Sequence, residues 1–243
     1  MKKKNLILIA LGLSLISSVA SASCTNRVKL NILKDVKVYQ CEDQTITYSQ
    51  PTNTTYEGLC GPTAGANAFY AYCKNTFVDP KLIAPKYFWD ITPGVRPDVL
   101  TSGLNRMFSN NAECMKGKWK YYYVTNRWDF LNSLYYEVRR GNGTQKRIIS
   151  NTGAKAIRSP VLVLTKASGS NLHWVTVVDI VGFKPGKINS DYEKPDCKVI
   201  YNDSGSQSTE ACSTFIKRSH EIDDTWYTDI ILPEYVHLVF EPA

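Results

Sequence analysis

Cys60 is the residue of this chain best placed to do chemistry. It stands in Gly58-Leu59-Cys60-Gly61-Pro62-Thr63-Ala64-Gly65-Ala66-Asn67-Ala68-Phe69, a turn feeding a helix. Pro62 fits a first helical turn, where the missing N–H would have no partner and φ is already set. Thr63 to Tyr72 carries many small residues, so this helix can lie close against its neighbours. A cysteine at a helix N-terminus faces unpaired N–H groups and the positive end of the dipole, and both favour the nucleophilic thiolate. Gly58 and Gly61 leave the sulfur approachable by a substrate backbone. The competing reading is a cysteine held in a disulfide.

A thiol nucleophile needs a base to take its proton and a third group to orient that base. The chain has three histidines. His237, in Glu234-Tyr235-Val236-His237-Leu238-Val239-Phe240, reads as an ordinary sheet position, and His220 lies in a charged, exposed stretch. His173 heads a strand directly after the turn Ser168-Gly169-Ser170-Asn171, which gives its ring a fixed backbone beside an accessible loop. The orienting group is expected on a neighbouring strand. Lys198-Val199-Ile200-Tyr201 runs into Asn202 and Asp203, a suitable distance after His173 for an antiparallel return. Taken alone, Asn202-Asp203-Ser204-Gly205 is also a good turn.

Three blocks together, Leu59-Cys60-Gly61-Pro62-Thr63-Ala64, Leu172-His173-Trp174-Val175-Thr176-Val177-Val178 and Val199-Ile200-Tyr201-Asn202-Asp203, resemble papain-like cysteine peptidases. The subgroup they look most like is the bacteriocin-processing, double-glycine leader peptidases. The likeness covers these short blocks and little between them. It implies Cys60 as nucleophile, His173 as base and Asp203 as orienting residue, with Asn202 the alternative. It also implies a glutamine shortly before the cysteine, binding the oxyanion together with the cysteine's own N–H. Thr54 and Thr55 stand at that distance here, so Gln50 becomes the candidate and Gln44 the fallback. The implied reaction is acyl transfer through a thioester. Its substrate is a protein or peptide, with peptidoglycan stem peptide next. Deamidation, cell-wall amide cleavage and transglutaminase-like transfer use the same apparatus. The rivals are a disulfide-stapled binding module and an inactive peptidase-like protein. Leader peptidases of this type often sit on a transporter, and this chain carries no nucleotide-binding segment.

The elements that must position these groups follow from periodicity. Short strands are expected over 28–32 and 36–39, with a polar approach over 42–57. Helices are expected over 60–74, from Asp79-Pro80 to Trp89, and from Arg96-Pro97-Asp98 through Met107. Tyr121 to Val124 reads as a strand. Asn126 is placed to cap a helix over 127–140, with Trp128, Leu131, Leu134, Tyr135 and Val138 on one face. Behind it come apolar strands at 160–164, 172–183, 197–201, 226–232 and 236–240. The class is α+β: a helical front with the nucleophile at a helix N-terminus, packed on a C-terminal antiparallel sheet; the resemblance implies that it is papain-like.

Three lysines and the apolar run Leu6–Ile16, followed by Ala20-Ser21-Ala22, read as a secretory signal over residues 1–22. The remaining chain, 23–243, is long enough for one domain with a core. The formal charge is +7, of which those three lysines supply +3. Lys116, Lys118 and Lys120 beside Tyr121, Tyr122 and Tyr123 alternate as a half-exposed strand does, so no nucleic-acid partner is expected. No later segment suits stable membrane insertion, and the sequence sets no oligomeric state. All seven cysteines follow the signal. Export to an oxidising compartment, periplasmic or extracellular, would pair six and leave one free. With no Cys-x-x-Cys and few histidines, no metal or other cofactor is expected. Residues 142–158 read as a loop.

Overall fold

The computed structural model describes residues 27–34, 36–41, 45–51, 58–73, 76–88, 94–140, 159–167, 172–186, 193–220 and 235–243. The signal segment, Cys24, Gln44, Thr54, Thr55, the loop 142–158 and the strand expected over 226–232 lie outside them.

The described elements are β1 (Val28–Leu30), β2 (Val38–Gln40), β3 (Ile46–Tyr48), α1 (Cys60–Tyr72), α2 (Pro80–Tyr87), α3 (Pro97–Ser109), β4 (Gly117–Val124) and α4 (Arg127–Arg140). Then follow β5 (Val161–Lys166), β6 (Leu172–Val181), β7 (Lys198–Asp203), β8 (Ser206–Ala211), α5 (Cys212–His220) and β9 (Tyr235–Pro242). The fold is mixed α and β. Its centre is a six-stranded antiparallel sheet in the order β4-β9-β5-β6-β7-β8, and β1-β2-β3 form a small second sheet.

The central strands are apolar on both faces. Leu162, Leu164 and Trp174 join the core built on α1, α2 and α3, while Val161, Val163, Val175 and Val177 join a second core under α4 and α5. A sheet covered on only one side would alternate apolar with polar; the continuous apolar run of β5 records cover on both. The sheet therefore carries helices on both faces, one more layer than the helix of Cys60 alone provides.

The helices begin where local chemistry sets them. Asp79 accepts from the Lys81 N–H at 2.8 Å, with Pro80 in the first turn. Asn126 accepts from the Trp128 N–H at 2.7 Å. Phe130, Leu131, Leu134 and Val138 of α4 are fully buried against the sheet, each contributing roughly 1.5–3 kcal/mol. α1 is buried almost all round, which its small residues allow: a Cβ on Gly65 would stand 3.0 Å from Leu104 of α3.

Disulfides pin the ends of these elements. Cys73–Cys114 ties the end of α1 to the segment before β4, and Cys197–Cys212 ties the start of β7 to the first residue of α5. Cys41 is also disulfide-bonded. Cys60 is a free thiol.

Candidate active site

α1 brings Cys60 to the site on its first residue. Gly58 just ahead has φ +81°, a left-handed conformation that glycine adopts without strain. No described side chain caps the helix, so its opening N–H groups face the sulfur's surroundings rather than a capping oxygen. Sγ lies 4.0 Å from the Gly58 carbonyl, and Cys60 is 8% exposed.

A buried polar chain fixes α1 against its neighbours. The Tyr48 N–H on β3 donates to Asn67 Oδ1 at 3.1 Å, and Asn67 Nδ2 donates to Thr176 Oγ1 on β6 at 3.4 Å. Thr176 Oγ1 in turn donates to the Ala64 carbonyl of α1 at 3.2 Å. The Trp174 indole N–H donates to the Val95 carbonyl at 2.7 Å. Val95 also packs on Gly61, where an added Cβ would meet Val95 Cβ at 3.0 Å and Trp174 Cδ1 at 3.4 Å. The residues flanking Cys60 and His173 in sequence are thus locked to one another in space.

His173 stands near the start of β6, and Asp203 ends β7. In the antiparallel register Thr176 faces Asn202, so His173 and Asp203 are close enough along neighbouring strands for long side chains to meet. His173 Nε2 lies 2.6 Å from Asp203 Oδ1, with the two side chains 16% and 28% exposed. Ser204 Oγ also donates to Asp203 Oδ1, at 2.8 Å. Because Nε2 is taken, Nδ1 is the ring nitrogen left for Cys60, whose sulfur acts on His173 both through a hydrogen bond and electrostatically.

The electrostatics set the protonation states. Burial alone would depress the His173 pKa, but the hydrogen bonds with Asp203 and Cys60 and their negative charges outweigh it and push it up to about 9. For Asp203, burial would raise the pKa. The hydrogen bond and charge of His173, then the Ser204 hydroxyl and the charge of Arg218, hold it below the ordinary aspartate value. The pair is therefore an imidazolium and a carboxylate at neutral pH, with the Cys60 sulfur beside the ring.

The structure separates the two candidates for the third position. Asn202 is buried, with Nδ2 donating to the Ile46 carbonyl at 2.9 Å and Oδ1 accepting from Gln207 Nε2 at 3.2 Å. It clips β3 to the hairpin of β7 and β8, while Asp203 meets the ring. Gln50 is half-buried just beyond β3. The preceding Ser49 packs against the turn after Asp203, with its Cα 3.1 Å from where a Gly205 Cβ would stand. β3, expected only as polar approach, is thus the element that carries the Gln50 segment to the Asp203 end of the sheet.

His237 is a core residue. It is 1% exposed, bonded through Nε2 to Ser133 Oγ at 2.8 Å, and burial pulls its pKa down to about 4. The His220 side chain lies outside the described residues. Among the described residues no cluster of histidine, cysteine, aspartate and glutamate is arranged to hold a metal ion. No helix of the described residues is long and apolar enough to cross a membrane.

Residues that sequence reasoning missed are Thr165, whose hydroxyl donates to the His173 carbonyl at 3.0 Å, and Val95, which packs on Gly61. Nothing local marks either one; their roles arise from pairing across the fold. Chemically, the arrangement offers a free thiol, a protonated base and a carboxylate that holds the base. No protein-family model and no curated protein matches the chain.

Proposed function

We propose that this chain is a thiol-dependent amide hydrolase, a cysteine peptidase of papain-like type, acting on protein or peptide. The observation that carries the reading is the free Cys60 thiol at the start of α1 beside a His173 ring held by Asp203 at 2.6 Å. A binding module has no use for a free thiol among disulfides, nor for a half-buried imidazolium next to it.

In this reaction Cys60 attacks the carbonyl carbon as the thiolate, paired with the His173 imidazolium, and the electron pair of the C=O moves to oxygen. The oxyanion is met by the Cys60 N–H at the head of α1, with Gln50 the side-chain candidate. His173 gives its Nδ1 proton to the departing amine nitrogen as the C–N bond breaks, leaving a thioester on Cys60. The neutral ring then takes a proton from water, hydroxide adds to the thioester carbon, and the C–S bond breaks to release the acid and restore the thiolate beside the imidazolium. Asp203 keeps the ring oriented and stabilises its cationic form throughout.

Disulfides suit an oxidising compartment. With the signal read over residues 1–22, this favours an exported enzyme, and its substrates are then proteins or cell-wall stem peptides met outside the cytoplasm. The test is incubation of the mature protein with a peptide library and with purified stem peptides, followed by acid quenching and mass spectrometry. An acyl adduct on Cys60 and amide cleavage, both absent from Cys60→Ala, are expected. Cleavage that survives Cys60→Ala, or none in either set, overturns the reading.

A further inference from the structure

α5 crosses the sheet on the face opposite α1, yet one of its side chains reaches back toward the histidine strand. Arg218 Nη1 donates to Thr165 Oγ1 at 3.2 Å, and Thr165 Oγ1 donates to the His173 carbonyl at 3.0 Å. Thr165 is fully buried on β5, directly opposite His173 in the register of β5 and β6. A hydroxyl with one proton and two lone pairs can do both jobs at once, accepting from the guanidinium while donating to the carbonyl.

Arg218 is itself held firmly. Nη2 pairs with Glu210 Oε2 of β8 at 3.0 Å, and the guanidinium lies over the Tyr201 ring at 5.0 Å and the Phe215 ring at 5.4 Å. The planar fork of arginine suits this combination of a carboxylate, a hydroxyl and aromatic faces, and lysine cannot reproduce it.

We propose that Arg218 is a positioning residue for the site of Cys60, His173 and Asp203, fixing the backbone of His173 through the Thr165 hydroxyl. The proposal rests on the catalytic reading above. His173 sits near the end of its strand beside the 168–171 segment, where strand pairing alone holds the backbone least. The Arg218–Thr165 link reinforces the carbonyl of the residue whose ring must stay aligned with both Asp203 and Cys60. Arg218 also contributes positive charge near Asp203, in the same direction as the His173 bond.

The experiment measures the rate of Cys60 alkylation by iodoacetamide at pH 6, in the full mature chain with its disulfides intact. The variants are Thr165→Val, Thr165→Ser, Arg218→Met, the pair Thr165→Val/Arg218→Met, and His173→Ala. Each is first checked for folding by circular dichroism. Thr165→Val keeps shape and loses the hydroxyl; it and Arg218→Met should each slow alkylation about tenfold, the cost of a buried hydrogen bond to a charged group. Thr165→Ser should restore the wild-type rate, and the double variant should be no slower than the slower single one, because the two side chains act through one link. Wild-type rates in the folded Val and Met variants, or losses that multiply in the double variant, overturn the proposal. If Arg218→Met does not fold, the Thr165 pair decides: equal rates for Val and Ser overturn it. Failure of the catalytic reading is distinguishable, because His173→Ala would then alkylate as fast as wild type.

Discussion

His173 Nε2 and Asp203 Oδ1 are 2.6 Å apart across neighbouring strands, and each holds the other in its charged form. The signs give a pH window. The pKa of His173 is raised from 6.5 to about 9, so its contribution to stability is full below about pH 6.5 and is lost as pH rises through 9. The pKa of Asp203 is lowered, so its contribution is full above the ordinary aspartate value and is lost as pH falls through the folded value. Wild type should exceed Asp203→Asn in urea stability most between about pH 4 and 6.5, where both groups carry their charges. The gap should narrow by pH 9.5. A gap unchanged from pH 5.5 to 9.5 would contradict this coupling.

Activity should divide by role. Cys60→Ala removes the proposed nucleophile and should abolish turnover. His173→Ala removes the base and should cost about 10²–10⁴-fold in kcat. Asp203→Ala should cost about as much, because it releases the ring and removes the charge beside it. Asn202→Ala should act mainly on stability, since its amide ties β3 to the sheet. Steady-state kinetics with thermal melts on each variant separates the two kinds of loss.

Gly61→Ala sets two effects against each other. Alanine gains about 1 kcal/mol of helix propensity over glycine. Its Cβ would meet Val95 Cβ at 3.0 Å, tighter than ordinary contact, and such overpacking costs about 1–3 kcal/mol. The net change in stability should therefore be small, at most about 2 kcal/mol. Activity should fall far more, because the pushed residues, Val95 and Trp174, flank Cys60 and His173. A variant with wild-type kcat would show that this packing does not align the site.

Removing the Cys197–Cys212 disulfide with serine at both positions should cost about 3 kcal/mol, the value expected for a loop of this length, the bonded positions being separated by 15 in sequence. Because Cys212 opens α5, the loss should also loosen Arg218. Urea unfolding gives the first quantity and the Cys60 alkylation rate the second. Unchanged stability would mean that α5 is held by packing alone.

Cys60, His173 and Asp203 were all legible in the sequence as candidates. A cysteine before Gly-Pro, a histidine heading an apolar strand and an acid ending one each leave a local mark. α4 was legible for the same kind of reason: Asn126 caps it and the buried positions repeat at helical spacing. β8 was not. Ser206–Ala211 is polar from Ser206 to Glu210 and lies at the sheet edge, so it has no apolar alternation to betray it. The signal that could have found it was the turn. Ser204 and Gly205 both have positive φ, 44° and 87°, between the paired residues Asp203 and Ser206. This is the two-residue hairpin geometry with φ positive at both central residues, which Gly205 adopts without strain. β3 hid for a similar reason, as a short strand in a polar stretch. The cover on both faces of the sheet was written in the unbroken apolar run of β5. The links made by Thr165 and Arg218 depend on which strands and helices meet, and no local pattern encodes that.

The most direct test of the central claim is iodoacetamide labelling of the folded, unreduced mature protein from pH 4 to 9, mapped by peptide mass, with His173→Ala in parallel. The account predicts one rapidly modified site, Cys60, still reacting below pH 7 and clearly slowed by the histidine change. Label at another cysteine, no label at Cys60, or equal rates in wild type and His173→Ala would contradict it.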